Sequence, residues 1–299
     1  MAGGTDSLQN LLDAGWAYHD TEPARLAREL EDAAHAGVAP NLLVPFLLLS
    51  THTIGEHLGD WPRALVLGRR ALEGQACTPE TARAWGRLYV AAAMAGDPVA
   101  AMDFELSYLK ATANDFGTAL LDMRFMLVGA LVSAKRAGEA ANLYCSALAL
   151  TEKLGPSATL DQNIAIASNN LAWELYETLP RLADEDALMR LAAETSLTFW
   201  MKCGNWVNAE RAHHLCAVVA NASGDPKAGL AHADEGLAVI AANGERPLDA
   251  ARLHLARAVS LGADAEARAR AIGDADAAAA KLVAADLKAQ YAAERAKVV

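Results

Sequence analysis

Apolar residues recur with a period close to 3.6 along nearly the whole chain of 299 residues. This period places apolar side chains on one face of an α-helix, whereas a half-buried strand requires strict alternation of apolar and polar residues. Aromatic residues make up only 6% of the chain, while alanine is abundant. Sheets favour β-branched and aromatic residues, and alanine favours helices that pack closely. The sequence therefore predicts an all-α fold.

Short turns separate the predicted helices. The tripeptide Gly-Asp-Pro occurs at 96–98 and again at 224–226. Glycine can close one helix in the left-handed conformation, aspartate can cap the next helix, and proline fits the first turn of that helix. Three residues are then enough to join two antiparallel helices. The pattern predicts fourteen helices, including those over 40–58, 206–222, 247–261 and 264–297.

Small residues recur after these turns at intervals of 37, 39, 47 and 42 residues. They are Ala64, Ala101, Ala140, Ala187 and Gly229. A recurrence in this range is typical of stacked helix hairpins. We predict a right-handed α-solenoid of about seven antiparallel hairpins. An N-terminal helix pair would occupy 1–39, the repeats 40–262, and an alanine-rich capping helix 263–299.

Three segments resemble the tetratricopeptide repeat (TPR) family. Segment 85–89 keeps the Trp and Leu of the pattern W-x-x-L-G-x-x-Y, and segment 140–144 supplies its A-x-x-x-aromatic step. Segment 170–175, Asn-Leu-Ala-Trp-Glu-Leu, resembles the first helix of longer repeats such as those of kinesin light chains. The resemblance covers most of 40–242 but is degenerate in every repeat. It implies a TPR-like superhelix whose inner helices line a concave groove that holds a peptide or a protein.

The net charge and the lack of targeting signals limit which partners and which cellular location we expect. The formal net charge is −11, which repels phosphate backbones and predicts no nucleic-acid partner. The polar N-terminus lacks the apolar core of a signal peptide, and the apolar runs 41–49 and 125–134 are too short to span a bilayer. We therefore expect a cytoplasmic protein without a membrane partner. The four cysteines are scattered, which favours reduced thiols that pack as small apolar side chains.

The stretch 52–57, His-Thr-Ile-Gly-Glu-His, is the first candidate metal motif. On an α-helix, residues five positions apart point about 140° away from each other, so His52 and His57 should not share a metal ion. The inverted zinc motif has two residues between its first His and its Glu, whereas three separate His52 from Glu56. A site in which His52 and Glu56 share a face and are completed elsewhere is the alternative. We expect no metal here.

The second candidate is the pair His213 and Cys216, which are three residues apart and could both contact one ion. No further Cys/His pair follows at zinc spacing. Nothing matches a phosphate-binding loop, a nucleophile elbow or a dinucleotide fingerprint, and the carboxylates are typical of a solvated surface. The sequence therefore predicts no catalytic residue and no cofactor.

What remains is the concave groove that the TPR resemblance implies. Carried over repeat by repeat, its predicted lining residues are Glu56, His57, Arg83, Arg87, Asn169, Asn170, Trp173, Tyr176, Arg211 and His214. Asparagine can both donate to and accept from a peptide backbone, and arginine can bind a carboxylate with two hydrogen bonds. Core packing is the alternative for Trp173 and Tyr176.

Three hypotheses on function follow. The first is a non-catalytic scaffold that binds a protein or peptide in its groove. The second is a ligand-sensing or enzymatic variant with a small-molecule or metal pocket lined by histidines. It would show a deep pocket in which His57, His213 or His214 converge beside Glu56 or Arg83. The third is a structural subunit that forms a homodimer through its C-terminal helix.

Overall fold

The computed structural model describes residues 2–35 and 37–298 of the chain. Every regular element among these residues is helical, and none of them lies in a β-strand. The prediction of an all-α fold is therefore confirmed. The chain divides into two compact units, Met1–Gly155 (unit 1) and Pro156–Val299 (unit 2).

The helices of unit 1 pack as consecutive pairs. Their bounds are α1 Ala2–Gly15, α2 Pro23–His35, α3 Leu43–Ser50, α4 Trp61–Ala71, α5 Ala82–Met94, α6 Pro98–Ala111, α7 Phe116–Ser133 and α8 Ala137–Leu154. A π-helix, Thr51–His57, continues α3 directly and packs against α4. Fully buried side chains such as Leu47, Leu88 and Met123 form the apolar core between the pairs.

Unit 2 repeats this arrangement with three pairs and one further helix. Its helices are α9 Ala158–Glu177, α10 Ala183–Cys203, α11 Trp206–Ala222, α12 Pro226–Asn243, α13 Pro247–Leu261, α14 Ala265–Ala279 and α15 Ala285–Ala296. α9 packs with α10, α11 with α12 and α13 with α14, while α15 packs back onto α13. Ile164, Leu215 and Leu253 are fully buried between these helices.

The two Gly-Asp-Pro turns have the conformation that the sequence predicts. Gly96 and Gly224 both have φ of +76°, in the left-handed region that favours glycine. The Asp97 carboxylate accepts a hydrogen bond from the backbone N–H of Ala100 at 3.0 Å and caps α6. Asp225 caps α12 in the same way, also at 3.0 Å. One tripeptide therefore makes the same hairpin turn in both units.

Two predicted helices differ from the structure. The segment predicted as one α-helix over 40–58 is a 3₁₀ turn, then α3, then the π-helix. The segment predicted as one helix over 264–297 is α14 and α15, which reverse direction between them so that Tyr291 of α15 donates to Asp276 of α14 at 2.5 Å. An alanine-rich run favours helix throughout, so composition alone did not reveal this break.

Helix α7 includes the apolar run that appeared too short to span a bilayer. Among the described residues, α7 is the one helix that is long and apolar enough to cross a membrane. It has 18 residues and a mean hydropathy of 1.5. Its buried share is 44%, and it packs against α5 and α8 as a core helix of unit 1. The expectation of no membrane partner stays a prediction.

Candidate functional site

The ten predicted groove residues are divided between the two units. Glu56, His57, Arg83 and Arg87 belong to unit 1, and the other six belong to unit 2. Five of those six line one cavity: Asn169, Trp173, Tyr176, Arg211 and His214.

The cavity in unit 2, called the unit-2 pocket below, has a volume of about 880 Å³. This is within the range of about 300–1,000 Å³ that is usual for ligand pockets. The first helix of each hairpin lines it, and α15 with the residues after it covers one side. Its polar and aromatic lining residues include Asn169, Trp173 and Tyr176 from α9, Glu210, Arg211 and His214 from α11, Asp249 and Arg252 from α13, and Gln290 and Glu294 from α15.

An aromatic wall forms one part of the unit-2 pocket. The rings of Trp173 and Tyr176 stand perpendicular, with centroids 5.4 Å apart, and the His214 ring lies 6.0 Å from Trp173. All three side chains are partly exposed to the pocket, so they are not simply core packing. Burial, and then the charge of Arg252, lowers the pKa of His214 to about 4, and the imidazole is therefore neutral at pH 7.

A pair of carboxyl groups, from Glu210 and Asp249, forms another part of the lining. Glu210 is fully buried, and neither of its carboxyl oxygens has a hydrogen-bond partner among the described residues. Burial and the neighbouring Asp249 carboxylate raise the pKa of Glu210 to about 8. Burial raises the pKa of Asp249, but the charge of Arg211 at 3.3 Å and the hydrogen-bonded ion pair with Arg246 at 2.8 Å outweigh burial and lower it. At pH 7 Glu210 therefore holds a proton that it can donate.

The side of the unit-2 pocket formed by α15 is fixed by an ion pair. The Arg252 guanidinium donates to both carboxylate oxygens of Glu294, with the shortest distances 2.6 Å and 2.9 Å. Sequence reasoning missed Glu210, Arg252 and Glu294. Glu210 adjoins the predicted Arg211, so its position on α11 was a usable signal. Glu294 gave none, because its place depends on the unpredicted turn between α14 and α15.

Three other predicted groove residues, Asn170, Arg83 and Arg87, lie outside the lining of the unit-2 pocket. Asn170 does not line the unit-2 pocket and is exposed; its side chain accepts a hydrogen bond from Asn169 at 3.2 Å. In unit 1, Arg83 is paired with Asp122 at 3.2 Å. Arg87 lies one turn further along α5, and burial lowers its pKa although the charge of Glu56 raises it.

The histidines of the 52–57 stretch converge, contrary to the sequence expectation. The Nε2 atoms of His52 and His57 are 3.1 Å apart. The expectation was wrong because residues 51–57 form a π-helix, in which the N–H of residue i+5 bonds the carbonyl of residue i. Positions five apart then come together as positions four apart do in an α-helix. The N–H of Leu58, which donates to the Thr53 carbonyl at 3.2 Å, shows this pattern.

A third imidazole joins them from the turn between α1 and α2. One ligand atom each from His19, His52 and His57 lies within 4.8 Å of the others, and these three residues are called the histidine cluster. His19 Nδ1 lies 2.9 Å from the Trp16 carbonyl, and His52 Nδ1 lies 2.5 Å from Glu56 Oε2. Partial burial, and then the charges of His52 and His19, lower the pKa of His57.

The other histidine pair does not form such a group. His213 and His232 face each other with Nδ1 atoms 3.2 Å apart. Cys216 is buried, and its thiol donates to the Ala193 carbonyl at 3.4 Å. Among the described residues, the histidine cluster of unit 1 is the one group of three or more potential ligands.

Comparison with known proteins gave matches among solved structures alone. No protein-family model matches the chain, and neither does a curated protein. Among solved structures it is similar to BtubC (BKLC) from P. vanneervenii, with 19% identity, a TM-score of 0.36, and coverage of 80% of this chain and 94% of that one. It is also similar to a tetratricopeptide repeat protein from Parabacteroides merdae, with 14% identity, a TM-score of 0.33, and coverage of 97% and 99%.

The paired helices and their turns define the class of the molecule. Among the described residues it is an all-α protein built from consecutive pairs of packed helices.

Proposed function

We propose that the chain is a non-catalytic binding protein whose unit-2 pocket holds a short segment of a partner peptide. The observation that carries this proposal is the buried carboxyl of Glu210, which lines the pocket without a hydrogen-bond partner. A buried polar group without a partner is costly, and such groups are rare in folded proteins. A bound peptide would supply the missing partner.

The chemistry of the lining favours a peptide backbone. Protonated Glu210 can donate to a peptide carbonyl, and Asn169 can both donate to and accept from an amide. Arg211 and Arg252 are each paired with a carboxylate, but a guanidinium carries five N–H donors and keeps some for a ligand. Trp173 and Tyr176 present a large aromatic surface to an apolar side chain of the same segment.

The test is selection of peptides from a random library by the full chain, followed by calorimetric titration of the selected peptides. Trp173→Ala and Arg211→Ala should each weaken binding at least about tenfold, which corresponds to about 1.4 kcal/mol. Arg270→Ala is the matched control, because Arg270 is as exposed as Arg211 and also pairs with a carboxylate. Circular dichroism confirms that each variant is folded. Peptides that bind both pocket variants as tightly as the natural chain would place the binding site elsewhere.

A small molecule in the same pocket is the second candidate, and the closure of one side by α15 favours it. From the sequence, such a pocket is expected to contain histidines beside Glu56 or Arg83. The unit-2 pocket contains His214, whereas His57, Glu56 and Arg83 belong to unit 1. This candidate is favoured if the selected peptides show no binding in the calorimetric titration, while small metabolites raise the melting temperature of the chain. A homodimer through the C-terminal helix, the lack of nucleic-acid and membrane partners, and a cytoplasmic location stay predictions.

A further inference from the structure

The histidine cluster has the ligand spacing of a metal site. Four ligands placed tetrahedrally at the usual Zn–N distance of about 2.0–2.1 Å are about 3.3–3.4 Å from one another. The Nε2 atoms of His52 and His57 are already 3.1 Å apart. The third ligand atom, from His19, lies within 4.8 Å of both. Because His19 is on a turn and is only partly buried, a small shift of that turn can bring its ring closer and keep the hydrogen bond to the Trp16 carbonyl.

Hydrogen bonds occupy the Nδ1 atoms of His19 and His52, so an ion would bind these rings through Nε2 and would replace the hydrogen bond between the Nε2 atoms of His52 and His57. The Nδ1–H of His19 donates to the Trp16 carbonyl, and the Nδ1–H of His52 donates to the Glu56 carboxylate. Histidines that bind metal almost always donate their other ring N–H to a carbonyl or a carboxylate in this way. Both arrangements fix the tautomer that presents an Nε2 lone pair to an ion.

The backbone holds these ligands in place from two separate segments. His52 and His57 are fixed by the π-helix, a rare element that is frequent at functional sites. The turn that carries His19 is held by its neighbour Tyr18, whose hydroxyl donates to Glu29 of α2 at 2.5 Å. Gly55, inside the π-helix, lets the ring of Trp61 pack directly against the backbone.

We propose that His19, His52 and His57 bind one divalent transition-metal ion of the zinc class. The three imidazoles select late first-row metals over Mg²⁺ or Ca²⁺, which prefer oxygen ligands. Three protein ligands leave a fourth position for water. The ion ties the turn after α1 to the π-helix. The expectation that the chain holds no metal rested on α-helical spacing, which these residues do not have.

The test uses the full chain, stripped with a chelator and titrated calorimetrically with ZnCl₂. We expect one Zn²⁺ per chain, and a rise in melting temperature with Zn²⁺ because the ion binds the folded state. His52→Ala and His57→Ala should each weaken binding by at least about 100-fold. Glu56→Gln, which disturbs only the orientation of His52, should weaken it by about 10–100-fold. His213→Ala is the matched control and should bind as the natural chain does.

A second measurement does not depend on the variants. Co²⁺ bound to the stripped natural chain should give the intense visible absorption of a tetrahedral site. This spectrum should disappear when one equivalent of Zn²⁺ is added. The proposal is overturned if the natural chain takes up no Zn²⁺, or if a variant that lacks all three histidines retains one ion per chain.

Discussion

Two regions of the chain each carry two histidines on the first helix of a hairpin, and they use them in opposite ways. In unit 1, His52 and His57 are five residues apart and their Nε2 atoms lie 3.1 Å from each other. In unit 2, His213 and His214 are adjacent, yet His213 faces His232 of α12 while His214 lines the unit-2 pocket. The difference shows that sequence spacing predicts which side chains meet only when the type of helix is known.

The local sequence explains why the helix type differs. The Thr51 hydroxyl donates to the Leu47 carbonyl at 2.6 Å, a bond to residue i−4 that is known to bend helices. Gly55 then permits the close approach of Trp61. Helix α11 is an uninterrupted α-helix with a side-chain cap at Asn205, whose Oδ1 accepts from the N–H of Val207 at 2.9 Å. Adjacent residues on it point about 100° apart.

Of the substitutions that test the difference between the two helices, Gly55→Ala should have the largest effect on stability. A Cβ at position 55 would lie 2.4 Å from the ring of Trp61, which is buried and cannot swing away. Overpacking of this kind costs about 1–3 kcal/mol of the free energy of unfolding. We also expect weaker Zn²⁺ binding, because the π-helix must shift. Urea unfolding followed by circular dichroism measures the first effect, and calorimetry the second.

Gly129→Ala is the matched control for that substitution. Gly129 is also helical and lies in unit 1, but a Cβ there would have no atom within 4 Å. Alanine favours helix over glycine by up to about 1 kcal/mol, so this variant should be slightly more stable than the natural chain. Equal effects of the two substitutions would mean that contact with Trp61 does not constrain the π-helix.

The pH dependence of stability should reveal the carboxyl pair of the unit-2 pocket. Glu210 has a pKa of about 8 in the folded chain, above the ordinary value of 4.5. Between these values the folded state keeps a proton that the unfolded state releases, so stability falls as the pH rises from about 5 to about 8. One proton sets an upper limit of about 1.4 kcal/mol per pH unit.

Glu210→Gln should remove that slope, because an amide resembles the protonated acid and does not titrate. Urea unfolding of both proteins at pH 5, 6, 7 and 8 measures the difference. The lowered pKa of Asp249 acts only at more acidic pH, outside this window. Parallel curves for the two proteins would show that Glu210 is ionised at pH 7.

A smaller effect is expected from the ion pair that holds α15. Glu294→Ala should lower the free energy of unfolding by about 1 kcal/mol, because the paired side chains are only 23% and 31% exposed. Glu266→Ala, whose pair with Arg270 is 86% and 63% exposed, should cost less than about 0.5 kcal/mol. If the two variants are equally stable, α15 is not held by Glu294.

The sequence was sufficient for most of the fold because its signals are local. Helix α11 and helix α13 were predicted with the bounds that the structure shows, since Asn205 caps the first and Pro247 begins the second. Five of the predicted groove residues line the unit-2 pocket, because the sequence pattern places them on the inner helix faces. The π-helix was missed because a periodic pattern assumes 3.6 residues per turn. His19 was missed because it comes from a turn more than thirty residues before His52.

A ¹H–¹⁵N spectrum of the imidazole rings, recorded before and after one equivalent of Zn²⁺ is added, shows directly which histidines bind the ion. The chain has eight histidines, few enough to assign by single substitution. The ring nitrogens of His19, His52 and His57 should shift together. Those of His213, His214 and His232 should stay unchanged. Shifts at His213 and His232 without shifts in the histidine cluster would contradict the proposed metal site.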